Sequence, residues 1–190
     1  MSLLTPVITT TGGWWLLGCS AFYLVWWILF FLPGAAKPTG ALWWFGAGCL
    51  VIAAVLGVVG IARGMGTVAE LEPLMARGVP TWAIWAGCVA LYVALAAIST
   101  RLWHRPITTE LLLFVGWLGY ALCLLDVAWG CGVVSGATAA GLLVMVAAVW
   151  VCCFVCYLLY YKLAPWPSFI DGAVPLVAVG VASAIIGFVL

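Results

Sequence analysis

Charge is almost missing from this chain. Its 190 residues include six Lys or Arg, five Asp or Glu and one His, so 6% are charged while 68% are hydrophobic. A soluble domain of this length needs a charged shell, and these residues cannot supply one. The mean hydropathy of +1.34 points the same way, to an integral membrane protein. A net charge of +1 with scattered bases leaves no electrostatic footprint for nucleic acid. Enzyme signatures are also missing: there is no H-E-x-x-H, no G-x-S-x-G and no phosphate loop. The lone histidine, His104, stands between Arg101 and Arg105 and reads as an interfacial cation rather than a catalytic base. The opening MSLLTPVITTTGG has no basic region ahead of its first apolar stretch, so it is expected to be retained rather than cleaved as a signal peptide.

Cysteine is not scarce, but its placement excludes a disulfide framework. Of the eight, Cys19, Cys49, Cys88, Cys123, Cys152, Cys153 and Cys156 fall inside apolar runs, and only Cys131 sits at a loop position. Cys153 and Cys156 form a C-x-x-C, yet no histidine or second cysteine pair lies near it in a ligand pattern. Such thiols behave as small hydrophobes. No metal and no cofactor is expected.

What the chain does have is long apolar runs. A bilayer core needs about 20 apolar residues per helix. Splitting the chain at its Pro and Gly clusters gives six runs, at about 12–32, 40–62, 80–100, 107–128, 139–161 and 168–190. The expected fold is therefore all-α: one compact bundle of six transmembrane helices over residues 1–190, with no connection long enough for a separate domain. Connections one, three and five carry Lys37, Arg101, Arg105 and Lys162, whereas connection two offsets Arg63 and Arg77 with Glu70 and Glu72. Positive residues favour the cytoplasm, which places both termini on the opposite, non-cytoplasmic side.

Three carboxylates lie within or at the edge of these runs, and ionisable groups there are functional candidates because they are costly. Each also has a structural reading. Glu110 stands in the first turn of the fourth run, where an acid favours the helix dipole. Asp126 near the end of that run can reach headgroup water. Asp171 completes an S-x-x-D pattern with Ser168, the signature of a capped helix start, and can equally line a cavity. Aromatics are plentiful: Trp43, Trp44, Trp82, Trp103 and Trp166 fall near run ends, as interfacial belts require. Trp117, Trp150, Tyr92 and Tyr120 fall mid-run, where tight packing and an aromatic conduit account for them equally.

The stretch YKLAPWPSFIDG resembles the approach to the last helix in the AmiS/UreI family of urea channels and presumed short-chain amide transporters. KPTGALWWFGAG is similar to that family's connection into helix two. LYVALAAI followed by WHRPITTELLLFVG is similar to its tyrosine-bearing helix three and the loop into helix four. The resemblance implies a homohexamer in a bacterial inner membrane, each protomer enclosing its own pore for a small neutral solute. It places Tyr92 at the pore tyrosine, Trp150 at one constriction tryptophan with Val149 beside it, and Asp171 at the cytoplasmic mouth. The second constriction tryptophan is replaced by Val146, the pore phenylalanine by Cys88, and a polar Asn-Gly in helix one by Trp26-Trp27. With its one histidine on an expected cytoplasmic loop, the chain is expected to lack a histidine-based acid gate.

Two other functions compete. Acetate/succinate permeases are also small six-helix proteins, but their N-P-A-P-L-G signature is replaced by TPVITTTGG here; a buried Asp126 or Asp171 would then relay protons. A non-transporting subunit of a larger membrane complex would account for the abundant small residues.

Overall fold

The computed structural model describes residues 12–102, 104 and 109–190. Six helices, each long and apolar enough to cross a bilayer, account for nearly all of them. They are α1 (Gly13–Phe31), α2 (Gly40–Leu71), α3 (Thr81–Arg101), α4 (Thr109–Gly130), α5 (Gly136–Leu159) and α6 (Pro165–Val189). Short 3-10 turns, Glu72–Leu74 and Tyr160–Lys162, finish α2 and α5. A helix satisfies its backbone N–H and C=O groups within one segment, which a lipid core demands. The protein is an all-α, multi-pass membrane protein.

α1 lies between α2 and α6; α5 packs on α6 and α4, α3 packs on α4, and α4 also meets α2. The fourth helix is the centre: 67% of its apolar window is buried, against 6–28% for the others. Its outer neighbours therefore keep broad apolar faces for lipid. Trp117, Tyr120, Leu124 and Val127 of α4 form the main core with Leu16, Val68, Leu71, Val146 and Ile186. A second core joins Cys88 and Ala96 of α3 to Leu111, Phe114 and Val115 of α4 and to Cys153 and Tyr157 of α5. A polar link inside the main core runs from α4 to α6, where Trp117 Nε1 donates to Ser183 Oγ at 2.9 Å.

Glycine lets these helices meet. A Cβ on Gly13 would strike the Ser183 carbonyl, and one on Gly64 would enter the Tyr120 ring. The Tyr120 hydroxyl reaches across to the Gly12 backbone, so α1, α2 and α4 converge at one point. Leu190 packs against Thr67, Val68 and Leu71, which puts the end of α6 beside the end of α2. The connections carrying Lys37 and Lys162 lie at the opposite end. Arg105 and Trp103 lie outside the described residues, as does the start of the fourth run.

Several boundaries differ from the sequence reading. The second run was expected to end at residue 62, but α2 continues for 32 residues, about 48 Å. Gly64 and Gly66 do not stop it because Thr67, Val68 and Leu71 are buried against α4, and packing outweighs propensity. α5 begins at Gly136 rather than 139, with the Ser135 hydroxyl accepting from the Thr138 N–H at 3.1 Å. α6 begins at Pro165, three residues before Ser168, because proline suits the first helical position.

Two neighbouring glycines test this packing. Gly64→Ala is expected to destabilise by about 1–3 kcal/mol, since Tyr120 is buried and cannot swing aside. Gly66→Ala meets open space and is expected to be neutral or stabilising by up to about 1 kcal/mol. Thermal unfolding in detergent measures both; equal shifts would show that the Tyr120 contact does not constrain the crossing.

Candidate functional site

Four of the six residues singled out in the sequence meet at the junction of α3, α4 and α5. Cys88, Tyr92, Val149 and Trp150 all pack in the second core. The backbones are close there: a Cβ on Gly119 of α4 would lie 3.1 Å from the Cys88 sulfur. Trp150 stacks on Phe154, with ring centroids 5.6 Å apart and planes 4° off parallel, and meets Phe114 edge-on at 6.1 Å. Tyr157 closes the group, 6.0 Å from Phe114. In this apolar setting the Trp150 indole N–H is buried with no hydrogen-bond partner among the described residues. A donor left in that state costs about 1–3 kcal/mol, so it is a feature that packing alone does not favour.

The other two residues lie elsewhere. Val146 is wholly buried in the main core, facing α4. Val149 also edges an open groove of about 530 Å³ between α5 and α6, where Met145, Val174, Val177 and Val181 give it an apolar lining. That groove suits hydrocarbon and offers nothing to a polar solute.

Asp171 occupies the second turn of α6, not its cap. The helix starts earlier, its N-cap position is Ala164, and no side chain caps it. Ser168 donates its hydroxyl to the Tyr160 carbonyl at 2.9 Å instead, which ties α6 to the end of α5. The capping reading of Ser168 and Asp171 is therefore replaced. The Asp171 carboxylate faces the Cys156 thiol of α5 and hydrogen-bonds with it, and one carboxylate oxygen is shut off from solvent. On the other side of α6 the Trp27 indole lies over Gly172, where a Cβ would overlap it. Trp27 Nε1 donates to the Phe169 carbonyl at 3.0 Å. Its ring stacks on Phe31 at 4.4 Å and on Phe169 at 6.3 Å. Tyr160 stands 5.9 Å from the same ring.

Trp27, Cys156 and Tyr160 were not singled out as site residues. The signal was present in part: a bulky Trp-Trp pair stands where the resembling family is small and polar, and a glycine follows Asp171. What joins them is the packing of α1 and α5 against α6, which no local pattern specifies. Glu110 is exposed in the first turn of α4, as the helix-dipole reading has it. Its charge still acts on Tyr23 of α1 and on Tyr160. Glu110, Asp171 and the two phenols thus gather at the end that carries Lys37.

Two of the remaining acids, Asp126 and Glu72, have clear structural partners at the opposite end. Asp126 Oδ2 accepts from the Val79 N–H at 2.9 Å, and Glu72 Oε1 accepts from the Thr81 N–H at 2.7 Å. Together they hold the α2–α3 connection, with Arg77 placed over the Trp129 ring at 4.7 Å. Cys131 donates to the Leu71 carbonyl at 3.5 Å in the same cluster, and burial pushes its thiol pKa up. His104 is exposed and adopts a positive φ of 50°. Among the described residues no three His, Cys, Asp or Glu side chains converge as metal ligands.

The chain matches no family model, no curated protein and no solved structure.

Since Asp126 serves the connection, Asp126→Ala is expected to destabilise by about 0.5–1.5 kcal/mol, the range for one hydrogen bond at an exposed site. The α2–α3 connection should also become easier to cut by protease in proteoliposomes. Unchanged cleavage would show that the carboxylate does not hold the connection.

Proposed function

We propose that the protein is a passive channel for a small uncharged polar solute of the urea and short-amide class, lying in a bacterial inner membrane. The observation that carries this reading is Asp171. A carboxylate between two membrane helices is costly, and here it does not serve as the cap of its helix. Its contact with Cys156 instead leaves a polar spot inside an apolar wall. The unpartnered Trp150 N–H supplies a second such spot, able to donate to a carbonyl oxygen in transit. Weak, separate polar contacts of this kind suit conduction, because a solute must also leave.

The resemblance to AmiS/UreI proteins supports the same solute class, with Tyr92 and Trp150 along the path and Cys88 and Val149 beside them; Val146, which the resemblance also assigns to the lining, is buried in the main core instead. It also supports a homohexamer and an orientation with the Lys37 and Lys162 connections in the cytoplasm. On that orientation Asp171 stands at the inner mouth. The buried carboxylate is also what a proton-coupled permease for a short carboxylate would use, so the test separates the two.

Proteoliposomes are shrunk in urea, acetamide or formamide, and re-swelling is followed by stopped-flow light scattering. Re-swelling above the lipid blank and indifferent to uncouplers is expected. Asp171→Ala should slow it about tenfold, equivalent to about 1.4 kcal/mol of lost solute stabilisation, while oligomer yield is unchanged. Flux that collapses with the proton gradient would establish the permease instead. No flux for any neutral solute would reject transport of this class.

A further inference from the structure

We propose that Trp27 controls access to the Asp171–Cys156 pair: its indole latches the first turns of α6, which act as a lid hinged at Pro175. That the pair forms the inner mouth of a channel rests on the reading above; the latch rests on geometry alone.

α6 has two parts with different attachments. Beyond Pro175, Gly180 sits against Ser20 of α1, Ser183 takes the Trp117 hydrogen bond, and Ile186 is buried in the main core. Those contacts fix the second half. The first half, Pro165–Val174, is held by far less. All the fully buried residues of α6, Gly180, Ala182, Ser183, Ile186 and Gly187, lie beyond Pro175, while residues 161–167 are exposed. Its tethers include the Trp27 N–H to the Phe169 carbonyl, the Trp27 ring over Gly172, the Ser168 hydroxyl to the Tyr160 carbonyl and the Asp171 contact with Cys156.

Pro175 lies inside the helix between these halves. It has no N–H, so the Asp171 carbonyl loses the helical donor four residues on, and the ladder is weakest where the two parts join. Glycine at 172 adds backbone freedom beside the carboxylate. If the first half pivots outward, the Asp171 carboxylate leaves the Cys156 thiol and both meet water. With Trp27 in place the pair stays covered: Cys156 is only 9% exposed. Trp27 is thus a positioning residue that acts through α6.

Cys156 reports on the lid without any flux measurement. Its alkylation rate by a small maleimide is measured in the purified full-length protein by site-resolved mass spectrometry. Cys123 and Cys153, 0% and 1% exposed, serve as controls. Trp27→Ala and Gly172→Ala are expected to speed Cys156 labelling about tenfold, Trp27→Phe less because it keeps an aromatic ring while losing the hydrogen bond and part of the cover over Gly172. Pro175→Ala restores the missing donor and should slow labelling about threefold. An unchanged Cys156 rate in Trp27→Ala overturns the latch, and so does a parallel rise at all three cysteines, which reports a loosened bundle. An unchanged rate in Pro175→Ala overturns the hinge. Solute flux has no part in this readout, so absent conduction would reject the channel and leave the lid standing.

Discussion

Close backbone approach is the constraint on which the rest of the bundle depends. Between lipid-facing helices there is no hydrophobic force to gain, because the tails are as apolar as leucine. Attraction must come from dense contact, and contact requires that side chains not intervene. The crossing of α1 with α6 at Gly13 and Ser183, and of α2 with α4 at Gly64 and Tyr120, meets that requirement. Each crossing fills the place of a missing side chain with a partner's backbone or ring. α4, surrounded on most sides, inherits its burial from these approaches rather than from greater hydropathy: its 2.1 is below the 2.8 of α5.

Polar groups then sort by what they contact. Glu72 and Asp126 each accept a backbone N–H of the α2–α3 connection, and Ser135 caps α5. These carboxylates stabilise a turn. Asp171 and the Trp150 indole stand apart, because one faces a thiol at membrane depth and the other faces only rings. Protein interiors retain such costly groups where something besides stability is at stake. That contrast, more than the abundance of aromatics, separates the functional candidates from the core.

Ser168 shows how a local pattern can mislead. S-x-x-D ahead of an apolar run has the spacing of a capping box, yet Pro165 starts the helix a turn sooner and sends the Ser168 hydroxyl to Tyr160. The long α2 shows the same limit from the other side: two glycines in a polar stretch resembled a break, and burial against α4 kept the helix going. Both outcomes turn on neighbours distant in sequence.

The sequence by itself determined the class: six apolar runs with few charges leave a helical membrane bundle as the only way to satisfy the backbone in lipid. It also singled out Asp171, Trp150 and Tyr92, but left a structural and a functional role equally open for each. Only the tertiary structure decided which of them meet. Cys88, Tyr92, Val149 and Trp150 share one junction, Val146 turns into the core, and Asp171 of α6 faces Cys156 of α5 while Trp27 of α1 bonds to the same stretch of α6. Apolar residues ring these helices almost evenly, so hydropathy cannot say which face meets protein and which meets lipid. That choice falls to the fit of small residues against large ones across helices far apart in the chain.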